Sequence, residues 1–591
     1  MKYLRIITTL LLLFAVTVSV SAEQRFPEKG WKDRPNPIAD PDALPGGEIS
    51  VFAGQYPKSL NYYLDNNVLS AEIFGAMYET LLSMNPITME YEPGLASSWS
   101  ISDNKKEFTF TLDKKTRWSD ETPVTASDVK FTYDIIMDPK NLTGPAKLDM
   151  ERFHPPEVID EYTIRFTAEN VHWKNLGAAG GFYILNRRAF GGKDFNKINF
   201  TFPVVSGPYR LGRINEGISI TLDRRKGWWK RKAASSIATG NFQRIKFKFF
   251  AERENAFEAF KKGNIDIFPV YTSRIWINET GGEKFLKNWI VRQKIFNHKP
   301  VGFQGFAMNL RRPPFDDINV RKAMALLLDR DKMNSALMYN QYFLHKSYFE
   351  NLYSEKNPCP NPLVKMDKEK ARELMKKAGW IVNPKTGLLE KNKTKFSFKF
   401  LTRSSSAEKF LAIYAEDLKD AGIELIIDKK DWAAWAKDMD SFNFQMTWAA
   451  WGAGIFKDPE GMWSSMEADR KGGNNITGFR NKKVDQLIEK QKSIFNLNTR
   501  NEICRKIDRI IYQQVPYVLL WNINYTRLLY WNRFGTPETV LSKFGDERSA
   551  YWYWWVDEDS EADLRDAMDA KEPLPPREPS VFFDDIFTAH P

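Results

Sequence analysis

Between Phe442 and Trp463 the chain reads FNFQMTWAAWGAGIFKDPEGMW. Three tryptophans and one Lys457-Asp458 pair fall within this stretch. Indole rings offer flat apolar surface, and a few polar groups orient what the rings hold, so the chemistry of these residue types is binding. The alternation of Phe442, Phe444, Met446 and Trp448 predicts a strand with all four on one face. Gly452 and Gly454 loosen the backbone after Trp451, and Asp458-Pro459 predicts a turn. Taken alone, the stretch reads better as core tryptophans with turn glycines; the remainder of the chain moves the balance toward a cleft wall.

Catalytic signatures are missing. The histidines His154, His172, His298, His345 and His590 show no metal-ligand spacing, and the sequence has no HExxH, GxxxxGK[ST] or GxSxG. Gly452-Ala453-Gly454 is followed by Lys457 where a dinucleotide fingerprint needs a third glycine. Asp458 and Glu460 are adjacent carboxylates of the kind a glycosidase pairs, but turn and surface acids are the simpler account. The reading is a binding protein without a cofactor, and its rival from another class is a periplasmic hydrolase with unrecognised carboxylates.

Residues 1–22 read as a cleaved secretory signal. Lys2 and Arg5 precede the apolar run Ile6 to Val20, and Val20-Ser21-Ala22 ends in small residues. No cysteine follows, so a lipid anchor is not expected, and no later segment approaches the ~18 apolar residues of a membrane span. A soluble periplasmic protein is expected. Cleavage removes two bases and no acid, which lowers the net charge from +11 to +9. The charge is spread and mixed in sign, which argues against nucleic acid and weakly for anionic ligands. Cys359 lies in the loop NPCPNP; Cys504 shares an apolar helical stripe with Ile503, Ile507 and Ile511, and a buried thiol there is more economical than a disulfide.

A chain of 591 residues exceeds what one core holds, so at least two lobes must position the binding residues. Strands are predicted at Ile49–Phe52, Phe108–Leu112, Tyr162–Phe166, Ile218–Leu222, Ile245–Phe249, Ile265–Phe268, Phe303–Leu310, Ile423–Ile427 and Pro516–Tyr530. Helices are predicted at 70–84, 125–137, Glu252–Lys262, Asn319–Leu328, a segment capped by Asp367, Ala407–Ala421, 481–495 and 499–514. This mixed order indicates α/β lobes.

Five spaced motifs together resemble the extracellular solute-binding proteins of family 5, the peptide-binding components of ABC importers. Tyr91-Glu92-Pro93-Gly94-Leu95-Ala96 before Trp99 resembles the family's P-x-LA-x-x-W segment. Trp118 to Val129 resembles W-x-DG-x-P-x-T-A-x-DV, with Glu121 where the family has glycine. Ser206-Gly207-Pro208-Tyr209 is similar to its SGPY hairpin, Met308-Asn309 with Val320-Arg321-Lys322-Ala323 to its MN…VR-x-A region, and Ala371 to Trp380 to its A-x-x-L-x-x-AGW helix. The length, the missing lipidated cysteine and Trp554-Trp555-Val556-Asp557 in the tail look most like the Yej-type branch, associated with oligopeptides and peptide-nucleotide antibiotics.

The resemblance implies an α/β, two-lobe periplasmic binding protein fold (large, type II or cluster C) with an extra subdomain inserted in lobe I. Lobe I would take 23–70, 205–305 and 525–591, the insert 71–204, and lobe II 306–524. The chain would cross near Phe306–Asn309 and again near Trp521–Tyr530, and the lobes would close on ligand by a hinge. The implied partners are an oligopeptide or peptide-like ligand and an inner-membrane permease with its ATPase subunits, with the receptor a monomer. An extended peptide needs its backbone groups satisfied, its termini paired and its side chains tolerated. Trp448 and Trp451 are the expected apolar contacts, and Phe306 and Asn309 lie at the crossing. Relatives hold the peptide amine with an acid after the tryptophan strand; the usual Asp-Tyr pair is absent here, Gly454-Ile455-Phe456 stands in that region, and Asp458 is the nearest acid. Arg403 is a candidate for a carboxylate, and Tyr56 for a first-loop contact. Nineteen tryptophans keep an oligosaccharide ligand in play, since some family members bind sugars on aromatic faces.

Overall fold

A computed structural model describes residues 24–27, 30–31 and 34–589; the expected signal at 1–22 lies outside the described residues. The strands collect into three large sheets. An eight-stranded sheet runs in the order Ser580–Phe582, Ile290–Phe296, Thr526–Trp531, Ile267–Pro269, Glu48–Phe52, Arg244–Lys248, Ser219–Arg224, Tyr209–Asn215. A five-stranded sheet runs Glu424–Lys429, Ser397–Thr402, Met446–Trp451, Phe303–Met308, Tyr517–Leu519. The third, also five-stranded, joins Gln24–Phe26, Ala96–Ile101, Glu107–Leu112, Thr163–Thr167 and Glu157–Asp160. We call the bodies built on them lobe I, lobe II and the inserted subdomain.

Local sequence chemistry explains the elements. Phe108, Phe110 and Leu112 alternate with threonines, and the strand Glu107–Leu112 buries all three. Asp128 accepts the Thr125 N–H at 2.9 Å and starts the helix Ala126–Met137. Asp367 caps Lys368–Lys377 by accepting from the Lys370 N–H, and Gly379, at φ 84°, stops it. Glu121 adopts φ 65°, the left-handed turn conformation in which glycine is unstrained. Cys359 and Cys504 are both free thiols; Cys504 is fully buried, and that burial pushes its pKa up to about 12.

Several expectations need correction. The helix placed at 70–84 is Val68–Met77, and Leu82–Met84 is a strand. The single strand expected over Pro516–Tyr530 is three pieces: Tyr517–Leu519 in lobe II, the short Trp521–Asn522, and Thr526–Trp531 in lobe I. The break is where the chain passes between lobes. The other passage falls between Phe296 and Phe303, so Phe306 already lies inside the lobe II sheet. Gly302 marks that passage: a Cβ there would stand 1.8 Å from the Trp451 carbonyl oxygen. Beyond the Pro-rich segment near the end of the chain, Ser580–Phe582 adds a parallel edge strand to lobe I.

Candidate functional site

The strand Met446–Trp451 lies between Ser397–Thr402 and Phe303–Met308, with Trp448 opposite Phe306 and Trp451 opposite Phe303. It begins four residues later than the alternation implied. Phe442 sits at φ 55°, outside the strand, and packs with Phe444, Trp463, Ile476 and Phe479 in one core. Met446 packs on the other side of the sheet with Phe306 and Phe400. The four residues therefore do not share a face. Trp463 is buried against Phe303 and Tyr348, so it is core and not cleft.

Trp448 and Trp451 are partly buried, with their N–H groups satisfied. Trp448 Nε1–H donates to Gln304 Oε1 at 3.0 Å, and its ring meets Phe306, Phe410 and Trp521 edge-on at centroid distances of 5.5, 5.5 and 6.0 Å. Trp451 Nε1–H donates to the Tyr517 hydroxyl at 3.1 Å. Two rigid apolar surfaces thus stand fixed on a strand, which suits sequence-tolerant contact. Arg403 is exposed at the end of the neighbouring strand, its guanidinium 4.6 Å and 5.1 Å from the rings of Trp432 and Trp435. It has no carboxylate partner among the described residues.

Two cavities meet at Trp448. The first, about 570 Å³, runs along lobe II past Arg403, Trp435, Trp448 and Trp451. The second, about 600 Å³, lies between the lobes, with Tyr271 and Arg527 from lobe I facing Phe410, Trp448 and Trp521 from lobe II. Ser406, Phe410 and Trp448 line both, so the two cavities are neighbours that share the Trp448 wall. The combined space exceeds that of a single drug-sized ligand. Among the described residues, five cationic side chains line it (Arg274, Lys299, Arg403, Lys409 and Arg527) and no carboxylate does. A larger cavity, about 690 Å³, lies wholly within lobe II around Arg330 and Tyr512, away from the aromatic wall.

The remaining sequence candidates fall elsewhere. Phe306 is fully buried against Phe400 and Tyr414, so it supports Trp448 from the side, on the same sheet face, and offers no surface to a ligand. Asn309 is also fully buried. Its amide donates to the Phe442 and Phe444 carbonyls at 3.0 and 2.9 Å, which shapes the turn before the tryptophan strand. Tyr56 stacks on Phe200 and meets Phe249 edge-on at 5.0 Å, and it lines neither cavity. Position along the chain points to these residues but does not reveal what packs over them.

Asp458 is paired. Its carboxylate accepts from Lys174 Nζ of the inserted subdomain, and Oδ1 accepts the Glu460 N–H at 3.1 Å. Burial pushes the carboxyl up, but Lys174 and the Glu460 amide outweigh it and hold it below the ordinary range. Around the pair lies a contact that sequence reasoning missed. Trp173 donates its backbone N–H to the Lys492 carbonyl at 2.9 Å and its indole N–H to Gln491 Oε1 at 3.3 Å, while Arg500 stands 4.3 Å from its ring. His172, only 7% exposed, has its pKa lowered to about 4 by burial and then by Arg152 and Lys174. The run His172-Trp173-Lys174 clasps lobe II to the subdomain, and its polar–aromatic composition on a loop was the one available signal.

Two α/β lobes joined by two chain passages around an aromatic cleft define a two-lobe solute-binding protein. The sequence profile of the bacterial extracellular solute-binding proteins, family 5 (Middle), matches residues 90–473, and the chain belongs to that family. It is similar to a putative binding protein of Brucella melitensis, 27% identical over 566 residues that cover 88% of this chain and 91% of the relative. It is also similar to the probable peptide-binding protein YejA of Agrobacterium fabrum, 26% identical over 527 residues, 80% of this chain and 84% of the relative. These relatives put it with the Yej-type branch. Among solved structures it resembles the oligopeptide-binding protein AppA of Bacillus subtilis in complex with a nonapeptide. The TM-score is 0.68 at 20% identity, covering 88% of this chain and all of that one, a likeness that shows the fold. Among the described residues no helix is long and apolar enough to cross a membrane, and no group of three or more His, Cys, Asp or Glu is placed to hold a metal.

Proposed function

We propose that this chain is the periplasmic receptor of an ABC importer for oligopeptides or peptide-like compounds, captured between its lobes and delivered to an inner-membrane permease with its ATPase subunits. The observation that carries the reading is the pair of neighbouring cavities, about 600 and 570 Å³, that share Trp448. They have room for a ligand of several residues, are lined by aromatic side chains, and one of them is bounded by both lobes at the hinge. The peptide-binding relatives support it. The working units are lobe I at 34–70, 205–302 and 525–589, the inserted subdomain at 71–204 joined by the strand Gln24–Phe26, and lobe II at 303–524; the expected bounds of 305 and 306 move because Phe303–Met308 pairs in the lobe II sheet. The ligand-contacting residues are Trp448, Trp451 and Arg403. Asp458 acts in closure through Lys174, since its charge is already engaged across the lobes. The protein is exported by cleavage after residue 22, carries no lipid and works as a monomer without turning its ligand over.

Native mass spectrometry of the protein isolated from the periplasm, followed by denaturing release, tests this reading. A heterogeneous ladder of peptide masses is expected. A ladder spaced by hexose would move the ligand class to oligosaccharides, and hydrolysis of an added peptide by the purified protein would make it an enzyme.

A further inference from the structure

The hinge side of the cleft holds a cation that the fold leaves without an anion. Arg527 stands on the lobe I strand Thr526–Trp531, is 1% exposed and lines the interlobe cavity. Its Nε has no hydrogen-bond partner. Its other contacts are long: 3.5 Å to the Tyr271 carbonyl, 3.4 Å to the Tyr342 hydroxyl and 3.5 Å to the Tyr525 hydroxyl. No carboxylate lies within ion-pair distance among the described residues. Structural arginines of this chain look different: Arg225 donates to three carbonyls at 2.7, 2.9 and 3.2 Å, and Arg321 to two at 2.9 and 3.0 Å besides a third contact from Nε. A buried guanidinium with five donors and only marginal acceptors is an unfilled site.

Its neighbours sharpen the point. The sheet register sets Lys294 directly opposite Arg527, and Arg292 lies two residues along on the same face. Like charges opposite each other destabilise a ladder, and neither Arg292 nor Lys294 has a carboxylate partner among the described residues. Burial, and then the proximity of these cations to one another, lowers the pKa of both. The rings of Tyr342 and Tyr525, 5.2 and 5.6 Å from the guanidinium carbon, give partial compensation. Two other cations in the cavity are already engaged, Arg274 by Glu279 and Lys299 by the field of Asp546 and Glu547. Lys409, exposed on the lobe II side of the same cavity, has no such partner.

We propose that this end of the cleft is an anion receptor, in which Arg527 of lobe I and Lys409 of lobe II together take a carboxylate or phosphate carried by the ligand. The favoured ligand carries an anion beyond a peptide's terminal carboxylate: acidic side chains, or the phosphate or uronate of a compound of similar size. The anion displaces the long tyrosine contacts and bridges the two lobes, so that its charge favours closure as well as binding. The proposal rests on the reading of this cleft as the ligand site.

The test is calorimetric titration of the full-length mature protein with pooled synthetic tripeptides through hexapeptides in three charge classes: glutamate-rich, the matching glutamine-rich, and lysine-rich. Acid-rich digalacturonate and inorganic phosphate serve as non-peptide arms. Glutamate-rich peptides are expected to bind at least about tenfold tighter than their glutamine counterparts, the size of one charge-assisted contact. Arg527→Gln and Lys409→Gln should each collapse that ratio, whereas Arg527→Lys should keep part of it. Lys409 is exposed, so its variant serves even where Arg527→Gln fails to fold, and the wild-type ratio needs no variant at all. Peptide binding with no acid preference, or a preference untouched by both variants, overturns the anion receptor and leaves the peptide reading standing. Binding of the uronate or phosphate alone, lost with Lys409→Gln, keeps the receptor and removes the peptide reading. Binding of none of the probes overturns both.

Discussion

Replacing Asp458 by asparagine separates closure from ligand contact. The side chains of Lys174 and Asp458 are 29% and 26% exposed, so their pair lies between a surface salt bridge and a buried one. Exposed pairs are worth up to ~1 kcal/mol, and breaking a fully buried pair costs ~3–5 kcal/mol. An intermediate cost of ~1–3 kcal/mol follows for Asp458→Asn, because the amide keeps the acceptor that meets the Glu460 N–H. If ligand binds the closed form, that cost returns as a roughly five- to hundredfold rise in Kd. Calorimetry with the released natural ligand, run on Asp458→Asn, Lys174→Met and the double variant, gives the coupling energy directly. The two single losses should be similar, the double no worse than either, and N-acetylated and free-amine peptides should suffer alike. A loss confined to free-amine peptides would show instead that Asp458 holds the ligand amine, and independent, additive losses would dissolve the clasp.

Acid should open the same contact. The folded-state pKa of His172 is lowered from 6.5 to about 4, so the unfolded or opened state binds the extra proton first. The resulting stability is full above about pH 6.5 and lost as pH falls toward about 4, at most ~3 kcal/mol. Asp458, whose pKa is also lowered, adds loss in the same direction as pH falls through its folded value. Thermal melts between neutral pH and pH ~4.5 should show this slope and His172→Gln should flatten it; an unchanged slope would deny His172 that role. Trp448→Ala should weaken ligand binding at least tenfold while lowering stability by ~2–4 kcal/mol, less than a fully buried tryptophan, because the ring is only partly buried; unchanged affinity would remove it from the cleft. Phe306→Ala should behave oppositely, costing ~3–5 kcal/mol of stability by urea titration and shifting affinity only as far as Trp448 loses its support. A larger loss of binding than of stability would contradict its burial.

Family and fold were legible because motifs and periodicity are local. The caps at Asp128 and Asp367, the alternation in Glu107–Leu112 and the apolar stripe around Cys504 each follow from neighbours within a few residues. Trp448 and Trp451 were found because glycines and an abrupt end to alternation flag a strand that stops at an open edge. Phe306 and Asn309 failed for a physical reason. Their place on the crossing strand was roughly right, but Phe306 shares the sheet face of Trp448 and is buried because Phe400 and Tyr414 pack over it, and no periodicity within one strand reports what a distant element covers. Asp458 was legible as an acid near the cleft; its partner Lys174, far along the chain, was not. Arg527 sits in a run of apolar strand residues, where its type alone was the clue that its neighbours across the sheet make meaningful.

A crystal structure of the protein isolated from the periplasm with its natural cargo tests the central claim most directly. The account predicts continuous ligand density through both cavities, passing the faces of Trp448 and Trp451 and ending near Arg527. Cargo bound in the separate cavity of lobe II around Arg330 and Tyr512, with the interlobe cleft empty, would contradict it.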